Sequence, residues 1–290
     1  MNRWKGRAVL AAFALTLVAC GGDDNDYRLD SETVNLNLNA TTEVAEAGRL
    51  EFPRLRQDGS SMVVVHTTHK YGVNYSIEWD FTKKSQRWSC YQMYAENSVS
   101  NTSRYTGTPQ YPSDPDIPST YQFASDPYWN TGFDHGHICP SADRLCSSEA
   151  NYQTFFLTNM QPQVNGFNSG VWSNMELRLR NWNRNSFRDT LYVCKGGTID
   201  NASQILRTLK NGLIVPKYFF MAVLCIKDQE YKAIGFWVEH EDNDDDDLRK
   251  YAVSIDELEE LTGIDFFCNL PDATEKAVES NVYPQSWGLK

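Results

Sequence analysis

Two groups of residues have the types and the spacing to do chemistry. The first is Asp134-His135-Gly136-His137. Two histidines two apart, beside a carboxylate, could ligate a metal. One imidazole could instead act as a general base, because its unperturbed pKa lies near working pH. Gly136 between them points to a tight backbone or to close approach of another group. The second group is Asn168, Trp172, Glu176 and Arg180, each four residues after the last. On a helix that spacing sets an amide, a carboxylate and a guanidinium on one stripe. Val171, Met175, Leu179 and Trp182 form the adjoining apolar stripe that packs. Taken alone, the polar stripe reads first as an exposed Glu–Arg pair of little energetic weight. It is also how a rigidly mounted site is built.

The elements that must carry these residues can be read from periodicity. Residues 62–67 form a buried-strand candidate and 74–80 alternate as a second strand. Residues 97–130 are rich in Pro, Ser, Asp and Thr and predict a long irregular loop. A short apolar run predicts a strand at 154–159, then a helix over 169–185. Strands follow at 190–195, 218–226 and 231–238. A last helix fits 254–262, with Ser254 as cap, Glu257 as its capping-box partner and Gly263 as terminator. Many strands with a few inserted helices indicate an α+β domain.

The run from Phe133 to Asp143 resembles the Asp-Arg-Gly-His signature of the DNA/RNA non-specific endonucleases. These are the ββα-metal (His-Me finger) nucleases of the Serratia nuclease and endonuclease G type. Asn159-Met160-Gln161-Pro162-Gln163, followed by Asn168, Trp172, Glu176 and Arg180, resembles the family's second block in residue type and spacing. The stretch from Ser254 to Leu258, and then Leu270-Pro271-Asp272, resembles its closing helix and Leu-Pro element, so the likeness covers residues 46–290.

The resemblance implies a central, mostly antiparallel sheet flanked by helices. It implies an endonuclease that hydrolyses phosphodiester bonds in DNA and RNA with weak sequence discrimination, since such sites act on backbone phosphate. His137 would be the general base. Asn168 would be the one direct ligand of a hydrated Mg²⁺, an ion that keeps several waters, and Mn²⁺ or another divalent cation could substitute. Glu176 would hold metal-bound waters, and Asn159 would orient the base or the scissile phosphate. Arg180 would support Glu176 or contact phosphate, and Arg104 would stabilise the pentacovalent phosphate. Arg178, Arg180, Arg184 and Arg188 are candidate phosphate contacts on charge-footprint grounds, with at least one expected to serve and simple surface solubilisation as the alternative. In one place the chain departs from the signature: its usual Arg is His135, a cation only when protonated. Either the pH optimum is more acidic or another arginine substitutes, with Arg144 nearest in sequence.

Charge and compartment complete the reading. The net charge is -11, which at first opposes a nucleic-acid partner. Residues 239–290 account for all of it, with 15 acidic and 4 basic residues, whereas residues 1–238 balance. The run from Glu239 to Asp247 reads as a solvated, self-repelling loop. Arg3, Lys5 and Arg7 precede an apolar run that ends in Leu17-Val18-Ala19-Cys20. That is a signal-peptide pattern over 1–19, and a Cys after Leu-Val-Ala resembles a bacterial lipobox. The expectation is an exported lipoprotein held at the outer membrane, the cell surface or in the periplasm. Lipidated Cys20 would be its membrane contact, residues 20–45 a polar tether, and 46–290 the catalytic domain. Export makes disulfides plausible among Cys90, Cys139, Cys146, Cys194, Cys225 and Cys268. Six buried free thiols are an equal expectation. Two rival functions stay open: a zinc hydrolase using His135, His137 and Cys139, and a surface lipoprotein that keeps the fold for nucleic-acid binding with altered catalysis.

Overall fold

Strand residues in the middle of this chain are apolar on alternate positions and also apolar between them, which requires a sheet covered on both faces. The structure, a computed structural model describing residues 27–28 and 34–289, shows that sheet. The strands are β1 (Tyr27–Arg28), β2 (Ser61–Thr68), β3 (Gly72–Asp80), β4 (Ser85–Tyr94), β5 (Asp134–His137), β6 (Met160–Gln163), β7 (Thr190–Gly197), β8 (Ile205–Thr208), β9 (Ile214–Pro216), β10 (Tyr218–Lys227), β11 (Glu230–Glu239) and β12 (Ala252–Val253). The helices are α1 (Ser148–Gln153), α2 (Asn165–Phe167), α3 (Ser173–Trp182), α4 (Ile255–Thr262) and α5 (Asp272–Glu279). The main sheet runs β1-β11-β10-β7-β4-β3-β2, with β12 also paired to β11. All its pairings are antiparallel.

Side-chain alternation divides the core in two. On β10, Phe219, Met221 and Val223 enter one cluster with Trp172, Met175 and Leu179. Phe220, Ala222 and Leu224 enter the other with Trp88, Leu258 and Val278. The first cluster seats the Trp172–Leu179 stripe against the sheet, and the second covers the opposite face with α4 and α5. Helix α4 begins where its capping chemistry predicts: Ser254 Oγ accepts the Glu257 N–H at 3.1 Å, and Gly263 closes it at φ 68°.

Four expectations change. The apolar run 154–159 is not a strand: Leu157–Asn159 is a 3-10 turn and β6 starts one residue later. Phe155 and Phe156 are buried all the same, and a short apolar run cannot by itself choose between the two. The expected 169–185 helix begins as α3 only at Ser173, because Asn168–Trp172 winds as a wider π turn. Of the expected tether, the described part is fastened: Asn35 donates to the carbonyls of Cys268 and Leu270, and Asn39 to those of Ala47 and Pro53. The acidic run is solvated at most of its carboxylates but docked by its backbone. Asn243 O accepts from Val171 N at 2.7 Å, and the carbonyls of Asp244 and Asp245 accept from Asn174 Nδ2. The signal peptide and Cys20 lie outside the described residues. Cys90, Cys139, Cys146, Cys194 and Cys268 are free and buried, so Cys139 and Cys146 do not bridge.

Candidate active site

The two sequence groups meet at a hairpin and a helix. Strand β5 pairs antiparallel with β6, placing His137 opposite Met160 and Gly136 opposite Gln161. Gln161 ties this hairpin to the main sheet: its Nε2 donates to Gln86 O at 3.0 Å, and its Oε1 accepts from Gly197 N. Gly136 is glycine for a steric reason. A Cβ there would lie 2.3 Å from Gln163 Cδ, so the bare backbone makes room for that side chain. The π turn and α3 then complete a β-β-α unit around a cleft of about 420 Å³. Arg104, Tyr111, Asp134, His135, His137, Asn168 and Glu176 are among the residues lining it.

His137 stands in this cleft with its Nε2 shielded from bulk solvent and without a hydrogen-bond partner. The His135 backbone engages the ring's other nitrogen, which holds the proton on Nδ1 and leaves the Nε2 lone pair free. Burial, and then the positive charge of Arg104, push its pKa down to about 3. The ring is therefore neutral at neutral pH. Phe155 meets it edge-on with centroids 4.9 Å apart, and Trp172 Nε1 points at its backbone carbonyl at 3.5 Å.

Across the cleft, Asn168 Nδ2 donates to Asp134 Oδ2 at 3.0 Å, and Asn165 donates to the same oxygen at 2.9 Å. With its amide nitrogen committed, Asn168 has its carbonyl oxygen left to offer. Glu176 Oε1 accepts from Lys195 Nζ at 2.9 Å. Lys195 is fully buried and lies 4.7 Å over the Trp172 ring. Burial raises the Glu176 pKa, opposed chiefly by Lys195. Arg180 binds Asp143 Oδ1 at 3.1 Å and reaches Glu176 only at 3.9 Å. Arg104 is exposed, packs 4.8 Å over Phe155 and has no ion-pair partner among the described residues.

Other expected residues fall elsewhere. Asn159 is fully buried: its Oδ1 accepts from Cys139 N, and its Nδ2 donates to the carbonyls of Cys139 and Thr154. It staples the chain leaving β5 and does not line the cleft. Arg144 does not replace the signature arginine. It is buried, with its donors spent on the carbonyls of Asn74, Asp143 and Gln92. Arg178 is half-buried and Arg184 exposed, both outside the cleft wall. Arg188 is buried against Asn183 and Asn185.

His135 is not a free cation at the phosphate position. Its ring is stacked between Tyr111 at 3.7 Å and Tyr128 at 4.1 Å, with Nε2 3.0 Å from both oxygens of Asp126. Burial outweighs Asp126 and holds its pKa below the ordinary value, so its ring carries positive charge only at still more acidic pH. The zinc alternative also weakens. Cys139 is fully buried, and burial pushes its thiol up to about 12. Lys195 and the Tyr111–His135–Tyr128 stack carried no signal in the sequence pattern, because no periodicity links these residues to their partners. Asp134 was visible beside the histidines, but its work on Asn168 was not.

Residues 56–273 match the DNA/RNA non-specific endonuclease family. The chain belongs to that family. A nuclease of a Nostoc species is 29% identical over 218 residues, covering 72% of this chain and 76% of its own length. Nuclease C1 of Cunninghamella echinulata is 25% identical over 209 residues, with 69% and 83% covered. The mitochondrial nuclease EXOG of Mus musculus is 25% identical over 225 residues, with 70% of this chain and 57% of EXOG covered. Among solved structures, EndoG in its complex with EndoGI matches with a TM-score of 0.64 and 20% identity, covering 80% of this chain and 94% of that one. That last likeness is one of fold: an α+β molecule built on a large antiparallel sheet. As a member of this family the protein is a hydrolase acting as an endonuclease, with nucleic acid as its substrate class.

Proposed function

We propose that the protein is a Mg²⁺-dependent, sequence-non-specific endonuclease with His137 as general base and Asn168 as the direct metal ligand. The observation that carries this reading is the unpartnered Nε2 of His137 in a cleft whose opposite side holds Asn168 with its amide nitrogen already spent. The donor set suits a hydrated hard cation: one amide oxygen, with the Glu176 carboxylate placed to hold water, in a space large enough for several waters. When bound, Mg²⁺ would supply charge stabilisation at the leaving oxygen; Mn²⁺ fits the same oxygen donors.

The chain's own residues do the rest. His137 Nε2 takes a proton from the attacking water, and the His135 backbone steadies the imidazolium that forms. Arg104, with no carboxylate to neutralise it, faces the phosphate charge from the cleft wall. Asp134 keeps Asn168 in one orientation, and Lys195 opposes the burial that favours the neutral form of Glu176. Arg180 works through Asp143 and Glu176, away from substrate.

The test is cleavage of plasmid DNA and of single-stranded RNA with Mg²⁺, across pH, for wild type and His137→Ala. The substitution should lower kcat by roughly 10²–10⁴-fold, the usual worth of a positioned base. Since the ring is neutral above about pH 3, the wild-type rate should show no limb at the ordinary histidine pKa of roughly 6.5. Intact substrates under all these conditions would end the proposal.

The same proposal places the enzyme outside the cytoplasm, on the strength of the Arg3-to-Cys20 pattern. Cys20→Ser should move it from the membrane fraction to the soluble exported fraction; unchanged fractionation would count against the lipid anchor.

A further inference from the structure

Helices α4 and α5 cover the sheet face away from α3, and acids stand where the two approach each other. Asp256 and Glu259 are three residues apart on α4, and Glu275 and Glu279 are four apart on α5, so each pair shares a helix face. One oxygen from each of Asp256, Glu259 and Glu279 lies within 4.8 Å of the other two. Glu279 is only 4% exposed, and its Oε1 is shielded from solvent without a hydrogen-bond partner. The charges acting on Glu279 are Glu259, Glu275, Asp256 and Asp265, all of them negative. Among the described residues no Lys, Arg or His forms an ion pair with Asp256, Glu259 or Glu279.

Such a group is costly without a counter-charge. Like charges on one helix face repel, and a buried carboxylate needs a partner. Glu279 is also the last residue of α5, at the negative end of the helix dipole. Burial first, with the facing acids behind it, pushes Glu259 up to about 8 and Glu275 up to about 7, and holds Glu279 well above the carboxylate range. The side chains are nevertheless held in place. Glu259 Oε1 accepts from Phe266 N at 2.7 Å, and Glu275 Oε1 accepts from Asn37 Nδ2 at 2.9 Å. Supporting bonds of this kind orient the ligands of an ion, and Glu259 keeps a second oxygen to offer. Asp256 is exposed, which gives an ion a way in and room for water beside it.

We propose that Asp256, Glu259 and Glu279 form a Ca²⁺ site that joins α4 to α5, separate from the catalytic cleft. The donors are all carboxylate oxygens, the set that a hard cation takes, with no imidazole or thiolate to favour zinc. Oxygens bound to one Ca²⁺ at about 2.3–2.6 Å lie at most roughly 5 Å apart, and the spacing of these three is within that limit. Three carboxylates are more than Mg²⁺ ordinarily takes, because it keeps several of its waters. The ion supplies the positive charge that Glu279 lacks. It also fastens together the two helices whose Leu258 and Val278 close the second core cluster.

The experiment uses the full chain, stripped by chelation, held at about pH 8 so that Glu259 can ionise, and titrated with Ca²⁺ alone. Wild type should gain about 5 °C in Tm at a hundredfold excess of Ca²⁺ over Kd. Asp256→Asn, a change at an exposed side chain, should weaken binding roughly tenfold or more by calorimetry, since affinity follows the charge of the ligands. Glu279→Gln keeps the size of the side chain and removes its charge, and it should abolish the rise in Tm. A wild-type Tm that Ca²⁺ leaves unmoved would overturn the proposal and leave shared protons as the link between the acids. An equal rise in wild type and both variants would overturn it as well, because the ion would then sit elsewhere.

Discussion

At the residue scale, the site depends on how each polar group is committed. His137 is a base because one nitrogen is engaged by the His135 backbone and the other has no partner. Asn168 has an oxygen to offer because Asp134 occupies its nitrogen. Glu176 is the delicate member, since burial favours its neutral form and buried Lys195 is the main force against that. Lys195→Met should therefore push the Glu176 pKa further up. The form that holds metal-bound water is the carboxylate, so activity is lost as pH falls through that pKa. The acid limb of kcat/KM should move to higher pH in the variant. Breaking a buried pair of this kind also costs about 3 kcal/mol of stability. An acid limb in its wild-type position would show that Lys195 does not sustain the Glu176 charge.

At the element scale, the β5–β6 hairpin works only because close contacts fix it on both sides. Gln161 binds it to β4 and β7, and Gly136 leaves space for Gln163. A methyl at position 136 would overlap the Gln163 side chain. Gly136→Ala should thus cost about 1–3 kcal/mol, the usual range for overpacking, and lower kcat by displacing His137. Adding Gln163→Ala should restore much of both, as measured by denaturant unfolding and cleavage rate. No recovery would mean that the glycine serves the backbone and not the neighbour. Gly170 has the same logic on the other side of the cleft, where a Cβ would fall 2.1 Å from Asn243 O. The acidic run thereby shapes the turn that presents Asn168.

At the scale of the whole molecule, stability comes from a sheet covered on both faces. The two core clusters enclose the sheet, and Cys90, Cys139, Cys146, Cys194 and Cys268 are free within them or beside them. Cys90 faces Cys194 across the β4–β7 ladder without a bond. A reductant should therefore leave Tm unchanged, read by thermal unfolding with and without dithiothreitol. A fall of several degrees would reveal a disulfide that contributes to the fold.

Local chemistry was legible in the sequence by itself. Helical spacing placed Glu176 and Arg180 on one face of α3, although Asn168 precedes that helix on a π turn, and the patterns of 74–80 and 231–238 marked true strands. Ser254 and Gly263 delimited their helix, because capping depends on neighbours only a few residues away. The family likeness rested on two such local blocks. Tertiary structure alone decided what each polar group has left to give. Arg144 and Arg104 are the same residue type in the same region. One is spent on buried carbonyls 70 and 52 residues distant, and the other stands free in the cleft. His135 and His137 are two residues apart. Asp126 and two tyrosines occupy the first, while the second keeps an unpartnered nitrogen. Charge state and hydrogen-bond commitment depend on burial and on partners brought together by folding, and neither is a property of spacing along the chain.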